Sequence, residues 1–208
     1  TQARPSKRVL FIGNSYTDAN DLPQMVSALA RANDEKLETV MDAPGGMTLE
    51  GHLRQGNALG SIGNGRFDWV VLQEQSQLPS FAPQQVSAQM YPATRQLNTA
   101  IRQHGAKTLL YMTWGHRGGD PSNTPGDTYA GMQARLKDGY ENIAREQKIP
   151  VAPVGVAWQN ALTGKPGLNL WQGDGSHPTT EGTYLAACVF YEIFYGRSCR
   201  GNGFTAGL

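Results

Sequence analysis

Five short apolar runs, at residues 8–12, 37–41, 67–72, 108–113 and 151–156, recur along the chain. They are rich in Val, Ile and aromatic residues, and patterns of helical period lie between them. Leu22, Met25, Val26 and Leu29 repeat at helical spacing behind Asp21, a natural N-cap, with Pro23 allowed in the first turn. Further helices are predicted over residues 86–102 and 129–146, and a closing one over Thr180–Tyr195. Strands this short and apolar, alternating with helices of four or more turns, suit a parallel sheet covered on both faces. Right-handed crossovers then give α/β class, a three-layer α/β/α sandwich on a five-stranded parallel sheet. Residues 1–208 are expected to form one domain of this flavodoxin-like plan.

In such sheets functional groups collect at the carboxyl ends of the strands. Composition removes several alternatives. Eighteen Lys+Arg against seventeen Asp+Glu leave a net charge of +1, too little to hold nucleic acid or an anionic membrane by charge. No apolar run approaches the ~20 residues of a membrane span. No Cys/His cluster or His pair at i, i+4 is present, so no protein-built metal site is expected. Residues 56–65 are glycine-rich but lack Gly-Lys-Ser/Thr, and Gly13-Asn14-Ser15-Tyr16 is not a dinucleotide fingerprint.

Two loops on the expected rim carry chemistry. Ser15 follows the first strand in Gly13-Asn14-Ser15, where the chain turns from strand to helix. Alone it reads as readily as a turn or capping serine. Asp174-Gly175-Ser176-His177 precedes the last helix, and an Asp three residues before a His can accept from Nδ1–H and aim Nε2 outward. Together the loops supply a nucleophile, a base and an orienting acid on one rim.

These two motifs resemble the first and fifth blocks of the SGNH (GDSL-like) hydrolases, small α/β/α esterases. Gly13-Asn14-Ser15 is similar to Gly-Asp-Ser with Asn in the middle, and Asp174-x-x-His177 is similar to the family's Asp-x-x-His. The resemblance implies Ser15 as nucleophile, His177 as general base, Asp174 as its partner, and no cofactor. It also implies an oxyanion hole built from the N–H groups of Ser15 and Gly46, with Gly45 the alternative. The usual Asn of the third block is replaced here by Leu72-Gln73-Glu74-Gln75-Ser76, which resembles the carbohydrate-esterase branch. By that analogy Gln73 donates to the oxyanion, with Gln75 as second choice.

Trp114 and His116 follow the fourth strand and are expected to contact substrate, Trp faces suiting sugar rings, although a packed loop Trp fits the sequence nearly as well. His52 and His104 read as structural or surface residues. The implied activity is a serine esterase removing short acyl groups, acetyl foremost, from a small substrate such as an acetylated saccharide. The alternatives are a lipase- or thioesterase-like enzyme of the same family and a non-catalytic flavodoxin-like binding module. Cys188 and Cys199 can form a disulfide or remain two thiols. That pair, with a chain opening on Thr1, favours an exported enzyme over a cytoplasmic one.

Overall fold

The computed structural model describes residues 6–208. Strands β1 (Lys7–Ile12), β2 (Leu37–Asp42), β3 (Trp69–Leu72), β4 (Lys107–Tyr111) and β5 (Val151–Ala152) form one sheet in the order β2-β1-β3-β4-β5. Every pairing is parallel. The expected sandwich is therefore the observed fold.

Alternation along the central strands splits the core in two. Val9, Phe11, Val71, Leu109 and Tyr111 face one layer, made by α2 (Leu22–Arg31), α8 (Val154–Gly164) and α9 (Thr180–Tyr195). Leu10, Ile12, Val70, Leu72 and Leu110 face the other. That layer holds α3 (Leu49–Gln55), α4 (Asn57–Asn64), α5 (Pro83–Gln89), α6 (Tyr91–Gln103) and α7 (Tyr129–Gln147). With β1, β3 and β4 covered on both sides, all but their first one or two residues are buried, which is why the sequence shows continuous apolar runs there.

Two elements differ from expectation. The helix expected over 86–102 is broken at Met90 into α5 and α6. Pro92 has no N–H to donate and its ring clashes with the carbonyl four residues back, so the helix restarts instead of continuing. The fifth strand spans only Val151–Ala152, because Pro153 ends the ladder and Val154 opens α8. Val154 and Trp158 stand at helical spacing and are fully buried, so 151–156 is a strand followed by a helix start.

The parallel arrangement brings the carboxyl ends of β1 through β4 to one rim. The loop before α9 reaches the same rim. It is fastened by an antiparallel bridge between Trp171 and Pro178, and by Arg117 N–H donating to Gly175 O at 2.8 Å. Thr179 caps α9 by accepting from Gly182 N–H, which sets where the loop ends. Beyond α9, Cys188 and Cys199 are joined in a disulfide with Cα atoms 5.5 Å apart, tying the tail back over the helix. No helix of the described residues is long and apolar enough to cross a membrane.

Candidate active site

Ser15 is the first residue of a one-turn helix, α1 (Ser15–Asp18), immediately after the β1 turn. The turn is tight for a packing reason. A Cβ at Gly13 would lie 2.5 Å from both Gln73 Oε1 and Thr17 Oγ1, so only glycine lets β1 pass this close to the β3 loop. Ser15 Oγ lies 2.9 Å from His177 Nε2, and His177 Nδ1 lies 2.5 Å from Asp174 Oδ2. With Nδ1–H donating to the carboxylate, Nε2 is left as an acceptor for the Ser15 hydroxyl. Asp174 Oδ1 accepts from the backbone N–H groups of Ser176 and His177 at 2.9 and 3.0 Å. Burial alone would raise the Asp174 carboxyl, but the His177 and backbone donors outweigh it and hold it below its ordinary value. The Asp174 and His177 side chains are 48% and 37% exposed, so the row lies in an open site.

Beneath this row lies a polar lock that the sequence reading did not foresee. Asn14 Oδ1 accepts from Tyr16 N–H at 3.1 Å and from Gln73 Nε2 at 2.8 Å. Its Nδ2 donates to Met47 O at 3.0 Å and to Glu74 O at 3.4 Å. One buried side chain therefore joins the turn after β1, the turn after β2 and the loop after β3. An Asp at this place could accept the first pair of bonds but could not donate the second. The middle Asn of Gly13-Asn14-Ser15 is thus matched to the two carbonyls facing it.

Gln73 does not stand as the sequence suggested. It is fully buried, and its Nε2 donates to Asn14 Oδ1 and to Glu74 O at 2.8 and 2.6 Å. Its Oε1 accepts from Asn14 N–H at 3.1 Å and Thr17 Oγ1–H at 2.9 Å. Both amide protons are engaged inside the lock, leaving none aimed at substrate. Gln75 closes the next turn by accepting from Gln77 N–H and Leu78 N–H through Oε1. Its Nε2 makes only long bonds, 3.3 Å to Gln77 Oε1 and 3.5 Å to Ser76 Oγ. Gly46 is exposed in the β2 turn, with φ +69° at the third position of a turn closed by Met47 N–H to Pro44 O. Left-handed backbone at that position favours glycine. Gly45 lies beside it, also exposed.

Glu74 is fully buried and links two loops. Its Oε1 accepts from Leu49 N–H at the start of α3 and from Gln75 N–H. Its Oε2 has no partner, and burial pushes the carboxyl up to about 7. His52 is also buried, as expected of a structural histidine, and its Nε2–H donates to Gly13 O at 2.7 Å. His104 lies on the surface against Ala100 O.

Trp114 corrects the expectation of a sugar platform. It is fully buried, stacked on Tyr16 at 4.6 Å and on Trp158 at 4.1 Å, so both ring faces are covered. Its Nε1–H donates to Ser176 O, bracing the loop that carries His177. His116 is half-buried with Nε2 3.1 Å from Ser176 Oγ. The described residues hold no group of three or more His, Cys, Asp or Glu able to bind a metal.

A scan of protein-family models finds no match, and neither does a search of curated protein sequences. Solved structures do match. A candidate SGNH hydrolase from Slackia heliotrinireducens is 28% identical, with a TM-score of 0.74 over 91% of this chain and 100% of that one. A DUF4886 family protein from Bacteroides uniformis has a TM-score of 0.84 at 20% identity, over 97% of this chain and 87% of that one. An acetylxylan esterase from Geobacillus stearothermophilus has a TM-score of 0.68 at 18% identity, over 99% of this chain and 98% of that one.

Proposed function

We propose that this chain, an ester hydrolase of the SGNH superfamily, removes short acyl groups, acetyl foremost, through a Ser15–His177–Asp174 acyl-enzyme mechanism. The observation that carries the reading is the unbroken row from Ser15 Oγ through His177 to Asp174, with spacings of 2.9 and 2.5 Å. Ser15 Oγ attacks the acyl carbonyl carbon while its proton passes to His177 Nε2. Asp174 stabilises the imidazolium through the Nδ1–H bond. The tetrahedral oxyanion is received by the N–H groups of Ser15 and Gly46, with Gln75 Nε2, the less committed of the two carboxamides, as the side-chain donor. His177 then gives its proton to the leaving alkoxide as the carbon–oxygen ester bond breaks. A water loses a proton to His177 and attacks the acyl carbon, which releases the acid and restores Ser15.

The open site favours a small acyl group on a bulky alcohol over a long chain in an enclosed tunnel. A saccharide alcohol fits this openness, and the Gln-type third block and the acetylxylan esterase likeness support it. Trp114 adds nothing to that case, since its faces are covered. The disulfide accords with function in an oxidising compartment, hence export.

The test is a panel of p-nitrophenyl esters of increasing chain length beside acetylated oligosaccharides, with wild type and Ser15→Ala. Activity highest on acetyl esters and absent in Ser15→Ala is the expected result. Preference for long acyl chains would move the reading to a lipase- or thioesterase-like enzyme. Equal inactivity of both proteins on every ester would leave a binding module.

A further inference from the structure

Ser176, between Asp174 and His177 in the chain, is held by the loops after β1 and β4 through a set of bonds the acyl-transfer scheme does not use. Its Oγ lies 2.6 Å from Tyr16 Oη and 3.1 Å from His116 Nε2. Its carbonyl accepts from Trp114 Nε1–H at 2.9 Å. The Tyr16 ring meets His177 edge-on, with centroids 5.5 Å apart. His116 is itself fixed by its backbone N–H donating to Met132 Sδ.

Proton counting gives this chain a direction. Burial keeps the Tyr16 phenol protonated. Tyr16 O–H can then donate to Ser176 Oγ, and Ser176 O–H to the lone pair on His116 Nε2. Each hydroxyl donates once, and the chain ends on an unprotonated nitrogen. If His116 gains a proton, Nε2–H must donate back to Ser176 Oγ. Ser176 Oγ, with two lone pairs, then accepts from both His116 and Tyr16, and its own proton turns elsewhere.

We propose that His116 is a positioning residue for the catalytic base: through its hydrogen bond with Ser176 it holds the 174–177 loop in register with Ser15. The proposal rests on the esterase reading above and assigns His116 a task other than touching substrate. The charges around His116 come from three directions. Asp120 lies on its own loop, Asp174 and His177 face it from the loop before α9, and the Arg135–Asp127 pair closes the α7 side, Asp127 accepting from Asp120 N–H. Neighbouring Arg117 turns its guanidinium to the carbonyls of Trp171 and Gln172. Burial lowers His116 first, the two aspartates raise it, and His177 lowers it again; the net direction is down, which keeps the ring uncharged at neutral pH.

The experiment compares wild type, His116→Ala, His116→Gln and Ser176→Ala on p-nitrophenyl acetate across a pH series. The low-field proton NMR signal of the His177 Nδ1–H is followed in parallel. His116→Ala should lower kcat about ten- to hundredfold with KM little changed, as misplacement of a catalytic group does. His116→Gln offers a carboxamide oxygen that accepts without titrating. It should recover most of kcat at neutral pH. The His177 signal should shift or broaden in His116→Ala and Ser176→Ala and stay near wild type in His116→Gln. An unchanged kcat and signal in both Ala variants overturns the proposal, as does a rise in KM alone, which would make His116 a substrate contact. Should His116→Ala fail to fold, Ser176→Ala on the more open loop carries the same comparison. If wild type cleaves no ester, the esterase reading fails separately, and the NMR arm still decides whether His116 governs the His177–Asp174 bond.

Discussion

Asn14 and Gln73 are bonded in both directions: Gln73 Oε1 accepts from Asn14 N–H at 3.1 Å, and Gln73 Nε2 donates to Asn14 Oδ1 at 2.8 Å. The pair holds the residue before Ser15 against the β3 loop. With Asn14 Nδ2 on the carbonyls of Met47 and Glu74, three rim loops move as one. Asn14→Asp, which would restore the family's Gly-Asp-Ser, should therefore harm this chain. It points a carboxylate at two carbonyls and removes two donors, a loss of about 1–3 kcal/mol per buried group left unpaired. Urea denaturation and kcat on p-nitrophenyl acetate should both fall. An Asn14→Asp variant as stable and active as wild type would sink the lock.

The two glutamines of the third block should separate cleanly. Gln73→Ala strands Asn14 N–H and Thr17 Oγ1–H and leaves Asn14 Oδ1 with Tyr16 N–H alone, so the midpoint of denaturation should drop, on the order of 2–4 kcal/mol in stability. Gln75→Ala removes the candidate side-chain oxyanion donor and should lower kcat by roughly 10²–10³. The Gln75 turn loses two bonds as well, so its stability loss should be the smaller of the two. If Gln73→Ala stays fully stable while kcat collapses, Gln73 is the oxyanion donor after all.

Glu74 makes stability depend on pH. Its carboxyl titrates at about 7 when buried, against a reference of 4.5. The folded state binds this proton more tightly, so stability from this group is full below about pH 4.5 and declines as pH rises towards 7. A shift of this size corresponds to on the order of 3 kcal/mol. Glu74→Gln removes the titration and should lose that slope, gaining on wild type as pH is raised. Parallel urea midpoints for the two proteins from acid to neutral pH would contradict the assignment.

The disulfide should stabilise without taking part in catalysis. Cys188 and Cys199 are eleven residues apart, and closing so short a loop contributes about 2–3 kcal/mol in the chain-entropy account. Replacing both with Ser should lower the denaturation midpoint accordingly. The effect on kcat should be slight, because the bridge ties the middle of α9 to the tail beyond the helix, whereas the 174–177 loop precedes it. A loss of kcat as large as the triad variants show would place the tail in the catalytic assembly.

Strand and helix alternation was readable because each element's period reflects which faces its neighbours cover. The places where that reading failed are junctions: Pro92, in the first turn of α6, makes the helix restart after Met90, and Pro153 separates β5 from α8. Ser15, Asp174 and His177 were legible as types in local motifs at strand and helix ends. Their meeting follows from the parallel sheet, although 162 residues separate Ser15 from His177.

The sequence by itself determined the layer order, the rim on which chemistry would collect, and the chemical types standing there. Local backbone preferences and apolar periodicity depend on near neighbours, so they can be read along the chain. The tertiary structure alone decided which faces and protons of those side chains stay free. Trp114 was a plausible platform until Tyr16 and Trp158 covered its two faces. Gln73 was a plausible donor until Asn14, 59 positions away, took one of its amide protons. A hydrogen bond saturates a donor and a stack buries a ring, and both need partners that only folding brings within reach.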